Sequence, residues 1–315
     1  MTTIERLNRW RDAGLVTDEQ FKNITRIVLK ERFSVYLELN ALLYLGVLFL
    51  VGGLAWTAQT HFEQLGDPFI LLVLTSFLGI SLYYCFTRSP AYSTGEVESP
   101  ALVFDYVLYA GCLILSAQLG YIETRFQLLG TAWEYYLLFA SAVFFGLAYR
   151  FDNRLVLSLA LSSLAGWFGL RFSRFGFVTA DSIRVYALLY GGLVAGAGTW
   201  LYRLGVKKHF LETYLHVAAN VVFLALLSGL GQETNSWIYF SVLLVLCSLA
   251  VVLGVKFRRF AYVAYGIVYG YVGTSYQLLY QLRSVTAILS YIAVTGAVVI
   301  VALVRLARRF AREEE

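Results

Sequence analysis

Glu212, His216 and Asn220 follow one another in steps of four along a single apolar run, which puts all three on one face of a helix. A carboxylate at the mouth, an imidazole that titrates near neutral pH and an amide beyond it suit a proton or cation relay. The same residues suit a purely structural part. A carboxylate in a first turn is favoured by the helix dipole, and histidine and asparagine hydrogen-bond to neighbouring helices. Asp105 holds the matching place about one turn into another apolar run, and Glu134 lies near the start of a third. A second array is the stripe Tyr262, Tyr265, Tyr269, Tyr276 and Tyr280, with Gly266, Gly270 and Thr274 in a row beside it and Gln277 and Gln281 near its end. Small residues let helices approach closely, while tyrosine hydroxyls in lipid need partners or water. The array is therefore either a packing seam or a cavity wall for an aromatic or cationic solute. The candidate cavity or ion site comprises Glu212, His216, Asn220, Asp105, Tyr265, Tyr269 and Tyr276.

Other chemistries lack their residues. There is no P-loop, no dinucleotide-binding glycine pattern, no His-Glu-x-x-His pair and no serine-nucleophile elbow. His61, His209 and His216 do not form a metal triad at helical spacing, and Glu212 with His216 offers two ligands where catalytic zinc needs three. Cys85, Cys112 and Cys247 all sit inside apolar runs, which leaves no disulfide framework or zinc spacing. The sequence gives no reason to assign a catalytic residue, metal or cofactor, and the expectation is a protein that is not an enzyme.

The elements that must position these groups are membrane helices. Of 315 residues, 59% are hydrophobic and 14% charged, with a mean hydropathy of +0.67. A soluble domain has about 45–50% apolar and about 25% charged residues, so a water-soluble globule, a disordered chain and a basic nucleic-acid-binding domain are excluded. A bilayer core of about 30 Å needs roughly 20 helical residues. Runs of that kind lie at 37–59, 67–87, 101–121, 132–150, 155–171, 184–203, 210–230, 236–256, 260–281 and 285–307. None alternates in polarity as a barrel strand does. Asp67-Pro68 and Ser99-Pro100 predict capped starts for the second and third spans, with Pro90 in the loop between. The fifth span is the shortest and needs Arg154 and Arg171 to snorkel to the two interfaces. Gly192 and Gly196 predict a packing row on the sixth, and residues 171–183 an aromatic and basic stretch in the outer interface.

Charge sets the orientation. With ten spans and a cytoplasmic N-terminus, Arg125, Arg171, Arg174, Arg184 and Arg283 fall outside, and all the other lysines and arginines, out of 25, fall inside. Dropping the fifth span would send the basic residues from Arg203 onward, Arg283 apart, to the outer side. The positive-inside rule therefore favours ten spans with both termini cytoplasmic. Trp56, Trp133 and Trp237 then lie near outer edges and Trp200 near an inner one, as in an aromatic belt. The charged first 35 residues hold no cleavable signal peptide, so the first span is expected to direct insertion.

Residues 1–36 read as a cytoplasmic helical hairpin. Thr2 with Glu5 and Thr17 with Gln20 are capping boxes, Gly14 is a stop between the two helices, and Val16 and Phe21 stand at staple positions. The stretch Leu7-x-x-Trp10-x-x-x-Gly14-Leu15-Val16-Thr17-x-x-Gln20 resembles the opening of a group of uncharacterised bacterial predicted membrane proteins, in which a short cytoplasmic hairpin precedes eight or more spans. The resemblance implies a multi-pass inner-membrane protein and brings no reaction, ligand or site residue with it. A shift of 104 residues also lays Trp133 on Trp237, Tyr135 on Tyr239, Arg154 on Arg258, Gly166 on Gly270 and Gly169 on Gly273. That register suggests a duplicated four-helix unit, spans 2–5 and 6–9, related by an axis along the membrane normal.

The expected architecture is an all-α polytopic bundle of about ten spans: a hairpin at 1–36, the bundle at 37–307 and a charged cytoplasmic tail at 308–315. Two functions compete. One is a transporter or channel-like protein for a small solute or ion, using the seventh and ninth spans as cavity walls. The other is a non-transporting membrane sensor or assembly component that engages a cytoplasmic protein through residues 1–36. The lipid bilayer is the one partner both require.

Overall fold

The computed structural model describes residues 10–11, 14–18, 20–21, 42–53, 56–57, 66–97, 99–173, 180–231, 236–279 and 284–313. Among the described residues the regular backbone is helical, with no strand. Helices fall on each of the ten apolar runs: α1 Leu42–Gly53, α2 Asp67–Arg88, α3 Leu102–Phe126, α4 Tyr135–Phe151, α5 Arg154–Ser173, α6 Ala180–Arg203, α7 Phe210–Gly229, α8 Ser236–Lys256, α9 Phe260–Leu279 and α10 Val285–Glu313. Seven of them, α2, α3, α5, α6, α7, α8 and α10, are long and apolar enough to cross a membrane. Of the other three, α4 has 17 residues, α1 is described over Leu42–Gly53, and α9 carries a heavy load of tyrosine and glycine. The chain is a multi-pass membrane protein, and its surface suits lipid. Trp56, Trp200, Trp237 and many leucines, valines and phenylalanines are exposed, a surface that water would not tolerate.

The chain divides into two compact units, Leu43–Leu244 and Met1–Leu42 with Val245–Glu315. In the first, α2 pairs with α3, α4 with α5, and α6 with α7. Its core joins Phe104, Leu108 and Cys112 of α3 to Phe144 and Ala148 of α4, Val156, Leu157 and Leu161 of α5, and Phe210, Tyr214 and Ala218 of α7. Buried hydroxyls lock these helices together. Ser81 donates to Val107 O at 2.7 Å, Ser141 to Ala160 O at 2.9 Å, and the Tyr149 and Tyr214 hydroxyls share a bond of 3.0 Å. In lipid such bonds replace much of the hydrophobic drive that holds a soluble core.

Close approach of α6 to α7 rests on Gly191 and Gly198, where an added Cβ would meet Val222 and Tyr214. Gly192 and Gly196, the row expected from the sequence, instead lie on the exposed side with open space beyond them. The expected caps also differ. Asp67 is the first residue of α2, behind Gly66 in the left-handed region (φ 78), and α3 is preceded by Ala101 with no side-chain cap. Asp67 turns to α3, accepting from the Tyr121 hydroxyl at 2.6 Å and from Arg125 Nε at 2.9 Å.

In the second unit the small residues of α9 form a packing seam. A Cβ on Gly266 would come within 2.5 Å of Cys247 O, and Gly270 faces the Cys247 side chain. Tyr271 and Thr295 share a hydroxyl bond of 3.0 Å, and Ser275 and Tyr291 one of 3.2 Å, joining α9 to α10. Helix α10 runs 29 residues, about 44 Å at the usual rise, so its last turns with Arg305, Arg308 and Arg309 extend past what a bilayer core needs. The charged stretch expected as a tail at 308–315 continues this helix as far as Glu313. The hairpin's second capping box is formed: Thr17 N donates to Gln20 Oε1 at 3.0 Å and Gln20 N to Thr17 Oγ1 at 3.3 Å. Gly14 makes the stop in the left-handed region (φ 70), and Arg11 lies over the Phe21 ring at 4.6 Å. Thr2, Glu5 and residues 22–41 lie outside the described residues, as do His61, Tyr280, Gln281 and Arg283.

Candidate functional site

The turns that join α4 to α5 and α6 to α7, with the segment between α2 and α3, build a charged cluster. Helix α4 ends with Asn153 N bonding back to Ala148 O at 3.1 Å around Asp152, which is left-handed at φ 59. Asn153 then caps α5, its Oδ1 accepting from Val156 N at 2.9 Å. Its other amide atom, Nδ2, donates to Asp105 Oδ1 at 2.8 Å, which ties the cap of one helix to the first turn of α3.

The left-handed backbone points Asp152 into the protein. Its Oδ2 meets Lys207 Nζ at 3.0 Å and accepts from Val97 N, and its Oδ1 is shared with His209 Nε2. The Asp152 and Lys207 side chains are 2% and 1% exposed, a fully desolvated ion pair. Lys207 is itself left-handed (φ 45), a conformation that costs a long side chain of order 1 kcal/mol or more and persists where its surroundings enforce it. They do so here. Lys207 N donates to Thr94 O at 2.8 Å, its Nζ to Gly95 O at 3.0 Å, and Nζ stands over the Tyr92 ring. Arg150 fastens the same segment through Pro90 O and Ser89 Oγ, both at 3.0 Å, and Arg154 through Glu96 at 3.0 Å. The α2–α3 segment is thus strapped across the ends of α4, α5 and α7.

Beside the strap lies a cavity of ≈ 440 Å³, lined by residues that include Tyr44, Asp105, Asn153, Arg154, Ser158 and His216. All of its lining belongs to Leu43–Leu244. Arg154 is countered twice, by Glu96 and by Glu212 at 3.8 Å, and Glu212 also faces His216 Nε2 at 3.8 Å. Among the described residues, no group of three or more acids, histidines and cysteines could hold a metal ion.

Of the residues expected at a site, the cavity brings together Asp105 and His216, with Glu212 linked to His216 and Arg154. Asn220 follows on the same helix and donates to His216 O at 2.8 Å. Tyr265, Tyr269 and Tyr276 belong to α9 in the other unit, where Tyr265 sits 6.3 Å from both the Tyr262 and Tyr269 rings and Tyr276 is exposed. Glu134 is fully buried near the other end of α4, 3.7 Å from Arg171, which also lies over the Tyr135 ring. Sequence reasoning missed Asp152, Lys207 and His209. The available signal was an acid in a loop expected to be basic, but its partners lie more than fifty residues on, beyond any helical spacing.

No curated protein and no solved structure matches the chain. Residues 8–157 match the model of a family described as a predicted membrane protein, DUF2157. The match runs from the hairpin into the first turn of α5, so it includes Asp105, Asp152, Asn153 and Arg154 and stops short of Lys207, His209 and His216. Over residues 8–157, a little under half of the chain, this multi-pass membrane protein is similar to the family of predicted membrane proteins DUF2157.

Proposed function

We propose that the chain is a transporter or channel-like protein of the bacterial inner membrane, not an enzyme, and that the cavity beside Asp105 is its cytoplasm-facing vestibule for a small cation. One observation carries this reading: a cavity at the helix ends where the positive-inside rule puts the cytoplasm, lined by the carboxylate of Asp105, which accepts from the neutral amide of Asn153. Glu212 and His216 act at its edge, 3.8 Å apart, with Arg154 3.8 Å from Glu212.

Reconstituted liposomes test it with three probes in separate runs: protons, sodium and radiolabelled methylammonium. At least one should move faster than in empty liposomes, and Glu212→Gln should change the rate or its pH dependence. Flux equal to that of empty liposomes for all three probes overturns transport.

A second reading rests on the hairpin. Trp10 and Leu15 are exposed beside the formed Thr17–Gln20 box, so a soluble element offers apolar side chains to a cytoplasmic protein. If that is its role, deleting residues 1–30 leaves membrane insertion intact and removes a co-purifying partner.

A further inference from the structure

We propose that the cavity selects an organic ammonium ion, an alkylammonium group held by Asp105 against the ring of Tyr44. This deepens the vestibule reading and rests on it.

Charge comes first. Asp152 is matched by Lys207 and His209, and Arg154 by Glu96 and Glu212. Asp105 bonds to the neutral amide of Asn153 and, among the described residues, has no cation within ion-pair distance. A half-buried carboxylate of this kind draws a positive charge from solution or takes a proton.

Size and ligand chemistry decide which positive charge. Hard inorganic cations need six or more oxygen ligands in a close shell. Here Asn153 Oδ1 accepts from Val156 N, and both carboxylate oxygens of Asp152 are engaged by Lys207, Val97 N and His209. The ≈ 440 Å³ space is also far larger than a bare ion and falls in the range of small organic ligands.

An aromatic group completes the site. Tyr44 lines the cavity together with Asp105, and its ring meets Tyr106 at 4.8 Å and Tyr109 at 5.4 Å, both edge to face. Tyr109 is one helical turn beyond Asp105, so the carboxylate and the aromatic cluster share one side of α3. Edge-to-face packing by its neighbours fixes the Tyr44 ring, and a fixed ring face beside a carboxylate is how proteins bind alkylated ammonium groups.

The test places a cysteine at Ser158 in the full chain in lipid nanodiscs, with the parent chain as blank because its three cysteines are buried. Three methanethiosulfonates are compared with their rates on a free thiol: neutral methyl, ethylammonium and ethylsulfonate. The ethylammonium reagent should be favoured over the sulfonate by about tenfold, as expected for an interaction with a charged group. n-Butylammonium should protect the cysteine where equal sodium does not. Asp105→Asn should abolish both effects, and Tyr44→Leu should weaken protection several-fold. Labelling by the neutral reagent without charge preference or protection overturns the ammonium assignment and leaves the vestibule standing. Protection by sodium equal to that by n-butylammonium overturns it too, in favour of an inorganic cation. No labelling by even the neutral reagent removes the vestibule itself.

Discussion

Asp152 and Lys207 show what burying charge does in this protein. Removing two ions from water is costly, and the pair is retained because each ion has further partners: His209 and Val97 N for the acid, Thr94 and Gly95 for the lysine segment. Loss of either partner strands the other. Asp152→Ala or Lys207→Ala should each destabilise the protein by about 3–5 kcal/mol, read as a fall in its unfolding midpoint in detergent. The double variant should cost much less than the sum, because no bare charge remains. Additive losses would show that the pair is not coupled. These residues were hard to find from sequence because ion pairing joins turns far apart in the chain. Glu212 and His216 were visible because they share one helix, and the structure keeps them within 3.8 Å. Asp105 was also legible, as an acid one turn inside an apolar run, whereas the role of Asn153 as both cap and partner was not.

The helices themselves were written plainly in the apolar runs, and each run carries a helix. Helix contacts were less legible. Periodicity shows which glycines share a stripe but not which stripe meets a neighbour, and the two small rows divide accordingly. Gly266 packs against the backbone of α8, while Gly192 and Gly196 face outward and the adjacent Gly191 and Gly198 make the α6–α7 contact. Gly266→Ala should therefore force α8 and α9 apart and cost about 1–3 kcal/mol. Gly192→Ala meets open space, and should be neutral or stabilise by up to about 1 kcal/mol through helix propensity. Thermal unfolding of the two variants side by side checks this, and equal effects would contradict it. Turn geometry also bears on the suspected duplication. The α4–α5 and α8–α9 turns share one form, a left-handed residue followed by a bond back to the helix: Asn153 N to Ala148 O, and Arg259 N to Gly254 O. In that comparison Arg258 matches Asp152 and not Arg154, which displaces the register read from sequence by two residues.

For the molecule as a whole, composition settles the solvent: a helical, multi-pass protein with an apolar exterior belongs in a bilayer. The proposed sidedness rests on where the basic residues cluster. Arg150, Arg154, Lys207 and Lys208 sit at the helix ends that hold the cavity, and Arg125 and Arg171 at the opposite ends of α3 and α5. The proposed vestibule and its proposed cation depend on the first of these ends facing the cytoplasm. The most direct measurement labels Ser158→Cys and, separately, Leu128→Cys on the exposed α3–α4 connection with a membrane-impermeant thiol reagent. In intact cells Leu128→Cys should react and Ser158→Cys should not. In inverted membrane vesicles Ser158→Cys should react and Leu128→Cys should not. Reaction of Ser158→Cys in intact cells would reverse the orientation and contradict the proposed vestibule.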